Sequence, residues 1–214
     1  MRLTIFVVGA RRPVDSLSES SPPFRISSNA WRCAAAFAAV AAGQAVVLVA
    51  LGRQWWCDCG KLFLYTNQPL GPHTSQHLLD PYSWSHLQHG LVLAPLLAWL
   101  APKRSLAWLL VAALTIEAGW EILENTPWVI ERYRSATAAV GYEGDTIINS
   151  LADLTCCAAG FFVARRLGVA KTVALFAAIE IGTIAIYRDS LLLNVLMLLA
   201  PVEAIRSWQE AGWR

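Results

Sequence analysis

Imidazole and carboxylate side chains recur at helical spacing in two apolar stretches of the chain. Glu117, Glu121 and Glu124 follow an i, i+4, i+7 pattern, and His86 and His89 follow i, i+3. Residues three and four apart share one face of a helix, so each group forms a single polar stripe. Histidines and carboxylates that converge from different helices are the ligand set of zinc and of carboxylate-bridged metal pairs. The spacing is therefore compatible with a site for metal-assisted acid–base chemistry and, without a metal, with acids that are neutralised by Arg132, Arg134 and Arg188.

A third polar stripe follows later in the chain. Asp145, Asn149 and Asp153 are spaced i, i+4, i+8. Asp145 is at least as well explained as the N-cap of a helix, where its carboxylate would accept free amide protons. Asp153 lies two turns deeper, roughly 12 Å along the helix axis, and capping does not explain it. We therefore expect Asp153 to join the glutamates.

The elements that must position these stripes are membrane-spanning helices. The chain has 214 residues, of which 56% are hydrophobic and only 15% are charged, and its mean hydropathy is +0.45. Crossing a hydrocarbon core takes about 20 apolar residues in a helix. Such runs lie at about 31–52, 83–101, 105–126, 146–164 and 169–187, with a shorter run at 190–205. The predicted fold class is an all-α membrane bundle of six spans, or five if the short last run does not cross.

The basic residues indicate an orientation. With six spans and a cytoplasmic N-terminus, twelve of the 17 Lys and Arg residues lie on the cytoplasmic side. This bias agrees with the positive-inside rule and places both termini in the cytoplasm. We divide the chain into a flexible cytoplasmic tail at 1–30, a single membrane domain at 31–208 and a C-terminal tail at 209–214. The scattered basic residues give no support for nucleic-acid binding.

Energetics decide where the acidic stripes point. A charged side chain at the centre of a bilayer costs about 2.5–3.5 kcal/mol on the insertion scale, so several lipid-facing acids would offset a domain's net stability. We therefore expect Glu117, Glu121 and Asp153 to face one another, a cation or water, in a pocket that opens to the outer side. Glu180, in the middle of the fifth run, has no partner on its own helix.

The outer loops carry further polar groups. Cys57 and Cys59 are compatible with a disulfide, a pair of metal ligands or two free thiols, although a C-x-C spacing closes a strained ring. We expect His73 and His77, which lie between prolines in a polar loop, to be solvated. At the junction of the last two runs, Asp189 is expected to pair with its neighbour Arg188 and to cap the final helix.

The chain resembles a family of bacterial membrane proteins without an established activity, DUF2585 or UPF0314, found mainly in alphaproteobacteria. The resemblance covers residues from about 50 to 210. It is carried by CDCG at 57–60, SQHLLDPYSWSHLQHG at 75–90, EAGWEILENTPWVIERYRSAT at 117–137, GYEGDTIINSLADL at 141–154 and YRDSLLLNVLMLLAPVEAIRSWQ at 187–209. It implies a multi-pass protein of the bacterial inner membrane and does not imply a substrate.

Three functions are compatible with these residues. The first is a metal-assisted hydrolase or group transferase that acts on a lipid-linked or amphiphilic substrate. The second is an assembly subunit of a membrane-protein complex, with a structural polar core, and the third is a small transporter or metal-handling protein. For the first, the candidate catalytic residues are Glu117, Glu121 and Asp153; the candidate ligands of zinc or iron are His86, His89 and Glu121; and the candidate substrate-binding residues are Arg132, Arg134, Asn149 and Asp145.

Overall fold

The computed structural model describes residues 28–212, and the regular structure in this range is helical, as predicted. Nearly all of the predicted N-terminal tail, together with residues 213 and 214, lies outside the described residues. Within 28–212 no strand forms, and one isolated bridge joins Tyr65 to Leu79. The described helices are α1 (Ser28–Ala50), α2 (Ser83–Leu100), α3 (Leu106–Glu124), α4 (Pro127–Ala136), α5 (Ile147–Leu167), α6 (Val169–Tyr187), α7 (Leu191–Leu199) and α8 (Glu203–Glu210).

Hydroxyl side chains set where the inner helices begin. Thr126 accepts a hydrogen bond from the backbone N–H of Val129, and Pro127 occupies the first turn of α4, where its missing donor has no effect. Thr146, and not Asp145, caps α5 by accepting from the backbone N–H of Asn149. The expectation that Asp145 is an N-cap was therefore wrong, and its carboxylate is available for other contacts.

Four of the described helices are long and apolar enough to cross a membrane: α1, α3, α5 and α6. Helix α2 has 18 residues and is about 27 Å long, with a polar first half. Helix α7 has only nine residues. At about 13 Å it cannot cross a hydrocarbon core of about 30 Å, and Pro201 prevents it from continuing into α8. Six spans are therefore not confirmed.

The last two helices fold back onto one end of the bundle. The Arg132 guanidinium of α4 donates to the Leu198 carbonyl at 2.8 Å, and Arg206 of α8 donates to the Ser135 carbonyl at 3.4 Å. This end, which we call the outer end, also holds the loop at 51–82, because the Ile147 N–H at the start of α5 bonds the Gln54 carbonyl at 2.8 Å.

The two ends of the described chain lie at different ends of the bundle. Helix α1 finishes at the outer end and is 23 residues long, so it begins about 34 Å away at the other end. The expectation that both termini share one side is therefore not confirmed. The predicted C-terminal tail at 209–214 is partly helical, because Gln209 and Glu210 belong to α8.

The closest helix pair in the bundle is α2 and α5, and it depends on two glycines. A Cβ atom added to Gly90 would lie 2.0 Å from the Cys157 carbonyl oxygen, and one added to Gly160 would lie 2.0 Å from the Leu87 carbonyl oxygen. Small residues let membrane helices approach closely in this way. An apolar core of buried leucines, alanines and Phe161 surrounds this contact, and the polar residues gather above it, toward the outer end.

Candidate functional site

The predicted polar stripes meet inside the bundle. His86 and His89 come from α2, Glu117 and Glu121 from α3, and Asp153 from α5. Glu117 is 1% exposed and Glu121 is 0% exposed, so neither carboxylate faces lipid. We call these five residues the inner cluster. The structure thus brings together the residues proposed for catalysis and for metal binding.

Glu117 connects the two histidines. Its Oε1 lies 2.7 Å from His86 Nδ1, and its Oε2 lies 2.9 Å from His89 Nδ1. Both distances are those of charge-assisted hydrogen bonds. The carboxylate therefore fixes the orientation of both imidazole rings with its two oxygens.

Glu121 and Asp153 are less completely satisfied. Glu121 Oε1 lies 2.9 Å from His86 Nδ1, but both oxygens of this carboxyl group lack a hydrogen bond of good geometry. Asp153 Oδ2 lies 3.9 Å from His86 Nε2, and its Oδ1 has no hydrogen-bond partner. A buried carboxylate without donors is strongly disfavoured, so these oxygens call for a proton, water or a cation.

The donor set fits a transition metal. Ligand atoms of His86, His89 and Glu117 all lie within 4.8 Å of one another, and so do those of His86, Glu121 and Glu124. Nitrogen and carboxylate oxygen donors suit zinc and non-haem iron. His86 belongs to both groups, so it occupies the centre of the inner cluster.

A cavity of about 870 Å³ lies beside the inner cluster at the outer end. Its lining includes His86, His89 and Asp153 and also apolar residues of α7, among them Leu191 and Val195. This volume is within the range that holds a drug-sized ligand. The arrangement provides an apolar surface and a polar centre within one space.

Two of the residues proposed for substrate binding, Asp145 and Asn149, lie in different surroundings. Asp145 lines the cavity and is held there by Asn125, whose Nδ2 donates to Asp145 Oδ2 at 2.7 Å and whose Oδ1 accepts from the Asp145 N–H at 2.7 Å. Asn149 is buried, and its amide donates to the Leu78 carbonyl at 3.4 Å.

The two candidate arginines lie apart from the cavity wall. The guanidinium of Arg132 bonds the Leu198 carbonyl, and that of Arg134 bonds the Tyr142 carbonyl at 2.5 Å. Both therefore hold the outer segments together in this structure, and their substrate contact stays a prediction.

Two buried polar groups were missed by the sequence reasoning. Asp80, just before α2, accepts hydrogen bonds from the backbone N–H groups of Ser75 and Tyr82 at 2.7 Å each. Burial raises the pKa of this carboxyl above its ordinary value, and the two backbone donors oppose that shift. Gln88 is fully buried and donates to Glu180 Oε1 at 2.8 Å, which supplies the partner that Glu180 lacks on its own helix. For Asp80, the sequence does contain a signal: an Asp-Pro pair directly before an apolar run favours a turn at the start of a helix.

The outer junction also differs from expectation. Ser190, and not Asp189, caps α7 by accepting from the Leu193 N–H. Asp189 accepts from Tyr82 at 3.2 Å, while Arg188 donates to the Trp208 carbonyl at 2.9 Å. Asp189 Oδ1 also accepts from the Ser190 N–H at 2.8 Å, and no described contact joins Asp189 to Arg188, so the expected local pair does not describe this junction.

His77 contradicts the expectation that the loop histidines are solvated. It is 1% exposed, and its ring packs against that of Phe63, with 4.6 Å between the ring centroids. Burial lowers the pKa of the His77 imidazole, and the neighbouring His73 lowers it further.

These features define a helical membrane protein with a buried histidine and carboxylate cluster beside a cavity. Comparison with known proteins then gives the family: a model described as a protein of unknown function, DUF2585, matches residues 48–211, and the chain belongs to this family. The resemblance noted in the sequence is thereby confirmed.

Several relatives carry the name UPF0314 protein. One from Sphingopyxis alaskensis is 43% identical over 187 residues, covering 87% of this chain and 98% of the relative. One from Rhizobium johnstonii is 46% identical over 166 residues, covering 78% and 85%. One from Brucella anthropi is 41% identical over 197 residues, covering 92% and 98%. No solved structure matches the chain.

Proposed function

We propose that this protein is a hydrolase or group transferase of the bacterial inner membrane, acting on a lipid-linked or amphiphilic substrate at the inner cluster. The observation that carries the proposal is the cavity of about 870 Å³, whose lining combines His86, His89 and Asp153 with apolar residues of α7. An acyl or isoprenoid chain would lie along α7, and the polar group to be cleaved or transferred would lie against the cluster.

The cluster has groups for both halves of a hydrolytic proton transfer. In its ionised form Glu121 or Asp153, with unpartnered oxygens, would accept the proton of an attacking water. An acid in the same apolar surroundings that has kept its proton would then donate to the leaving oxygen. Glu117, bonded to both histidines, is the group that positions the imidazoles.

The candidate metal ligands are His86, His89 and Glu121. A zinc or iron ion held by them would polarise the substrate and acidify a bound water. The cluster's own residues would exclude bulk solvent, because His86, Glu117 and Glu121 are all buried.

A structural role is the second candidate, and one observation favours it. His86 Nδ1 and Glu117 Oε1 are already in contact at 2.7 Å, so this pair is satisfied without an ion. Buried polar contacts of this kind can fix the register of membrane helices, at about 0.6–2 kcal/mol each. The protein would then act as an assembly subunit in a membrane complex.

Metal analysis of the full-length protein in detergent separates these functions. The variants are Glu121→Gln and His89→Ala, and Glu180→Gln is the matched control, because it also replaces a buried membrane acid but lies outside the cluster. Stoichiometric zinc or iron in the wild type and in the control, lost from both cluster variants, is the expected result.

Two other outcomes would overturn the proposal. Absence of metal in every preparation, together with a lower melting temperature in both cluster variants, would favour the structural core. Intact melting behaviour with loss of ion or proton flux in reconstituted vesicles would favour transport.

A further inference from the structure

A second group of metal-ligating side chains lies in the outer loop, separate from the inner cluster. It consists of Cys57, Cys59, His73 and His77, and one ligand atom of each lies within 4.8 Å of all the others. Cys57 Sγ is 3.6 Å from His73 Nδ1, and Cys59 Sγ is 4.0 Å from His77 Nε2. His73 Nδ1 and His77 Nε2 are 3.2 Å apart. We call this group the loop cluster.

These distances are close to those between the ligands of one tetrahedral zinc ion. With Zn–S bonds of about 2.3 Å and Zn–N bonds of about 2.05 Å, tetrahedral geometry places sulfur and nitrogen about 3.6 Å apart and two nitrogens about 3.4 Å apart. The corresponding distances in the loop cluster are 3.6, 4.0 and 3.2 Å. Small shifts of flexible loop side chains would complete the coordination.

The local backbone supports the same ligand set. A turn brings the two cysteines together: the Gly60 N–H bonds the Cys57 carbonyl at 3.1 Å, and Gly60 has a φ of +68°, which glycine adopts without strain. The Cys59 N–H points at Cys57 Sγ at 3.4 Å, and such a donor stabilises a thiolate. Both cysteines are free thiols in this structure.

The histidine side of the loop cluster is also arranged by neighbours. His73 and His77 are spaced i, i+4, and the Phe63 ring contacts both imidazoles, with centroid distances of 5.8 and 4.6 Å. Without an ion, the short contact between the imidazoles is a hydrogen bond from His77 Nε2–H to His73 Nδ1, and His77 Nδ1 accepts weakly from the Phe63 N–H at 3.4 Å. Metal binding would replace the first bond and release the second.

We propose that Cys57, Cys59, His73 and His77 bind one Zn²⁺ ion in a closed, structural site. Two thiolates and two imidazoles satisfy a tetrahedral ion and leave no open position for substrate, which is the pattern of structural and not of catalytic zinc. The ion would join residues 57–59 to residues 73–77 and so close the loop that forms part of the cavity wall. The loop cluster shares no ligand with the inner cluster, so this inference does not depend on the proposed function.

The test measures zinc in the full-length protein purified in detergent under a reducing agent and then supplied with Zn²⁺. The variants are Cys59→Ser and His77→Ala, and Cys33→Ser on α1 is the matched control. The expected result is loss of one zinc ion per chain in both variants, with no loss in Cys33→Ser. Glu121→Gln keeps this ion, which separates the loop cluster from the inner cluster.

A second measurement applies even where a variant does not fold. Co²⁺ replaces zinc in the wild-type protein, and the expected spectrum contains thiolate-to-cobalt charge-transfer absorption, which ligands of the inner cluster cannot produce. Removing the ion with a chelator should then make Cys57 and Cys59 reactive toward an alkylating reagent.

Three results would overturn the proposal. They are a wild-type protein that takes up no zinc, a Cys59→Ser variant that keeps all of its zinc, and a native disulfide between Cys57 and Cys59 detected by mass spectrometry before reduction.

Discussion

The contact between α2 and α5 gives a prediction whose size follows from the coordinates. In Gly90→Ala the new Cβ would begin 2.0 Å from the Cys157 carbonyl oxygen and 2.6 Å from the Phe161 nitrogen. Real Cβ contacts essentially never fall below 3.0 Å, so the two helix backbones must separate by about 1 Å. The obstacle is the backbone of α5, and no side-chain rotation relieves the contact.

The expected result is a clear loss of stability. Overpacking in a filled core typically costs about 1–3 kcal/mol, and a clash between backbones should reach the upper part of that range. Separation of α2 from α5 also moves His86 away from Asp153, which are now 3.9 Å apart. We therefore expect a lower melting temperature in detergent. If the inner cluster binds an ion, its metal affinity should also fall, by a small amount.

Gly119→Ala is the matched control, because this glycine lies within α3 and a Cβ there meets nothing within 4 Å. Alanine favours a helix over glycine by roughly 0.5–1 kcal/mol, so the control should melt at the same or a higher temperature. Thermal denaturation followed by circular dichroism compares the two. Equal melting temperatures for Gly90→Ala and the wild type would refute the close packing of α2 and α5.

Two further substitutions test polar contacts at the outer end. Asn125→Ala removes both 2.7 Å hydrogen bonds to buried Asp145, and the free energy of unfolding should fall by about 2–3 kcal/mol; a loss below about 0.5 kcal/mol in denaturant titration would contradict this pairing. Burial raises the pKa of Asp189 to about 6, so its carboxyl group binds a proton more tightly in the folded than in the unfolded state. Ionisation of this group therefore lowers the stability of the folded protein as pH rises from about 4 to 6. The stability of Asp189→Asn relative to the wild type should therefore increase by on the order of 1–3 kcal/mol across that pH range, as followed by melting temperature. A stability difference that does not change with pH would contradict the raised pKa.

Helical spacing, together with the cost of exposing acids to lipid, predicted the inner cluster. Glu117 and Glu121, one turn apart, had to point the same way, and the cost of exposing them to lipid required partners inside the bundle. Their meeting with His86, His89 and Asp153 follows from that argument, because the number of polar stripes in the chain was small.

Contacts between distant segments could not be predicted in the same way. The partner of Glu180 is Gln88, which lies 92 residues away on α2, and its second oxygen accepts from the Leu192 N–H at 3.3 Å. The burial of His77 likewise depends on Phe63 and the cysteine turn, which no periodic pattern links to it. Local spacing predicts which face a residue occupies but does not identify the neighbour that covers it.

The number of membrane spans could not be predicted from composition alone. Residues 190–205 are apolar enough to suggest a further crossing, but Pro201 divides them into two short helices. As a result, Arg206 lies at the outer end, next to Ser135, and no longer belongs with the cytoplasmic set. The remaining basic residues keep the same direction of bias.

The shortness of α7 affects access to the cavity from the lipid phase. The helix is shorter than half of the hydrocarbon depth, and its Leu192, Leu196 and Leu199 are exposed. In a membrane, the lipid tails of one leaflet would therefore have room beneath α7, whose Leu191 and Val195 line the cavity. Under the proposed function, an amphiphilic substrate would enter the cavity through this flank with its chain still in hydrocarbon, and ordinary phospholipids would compete with it for the cavity.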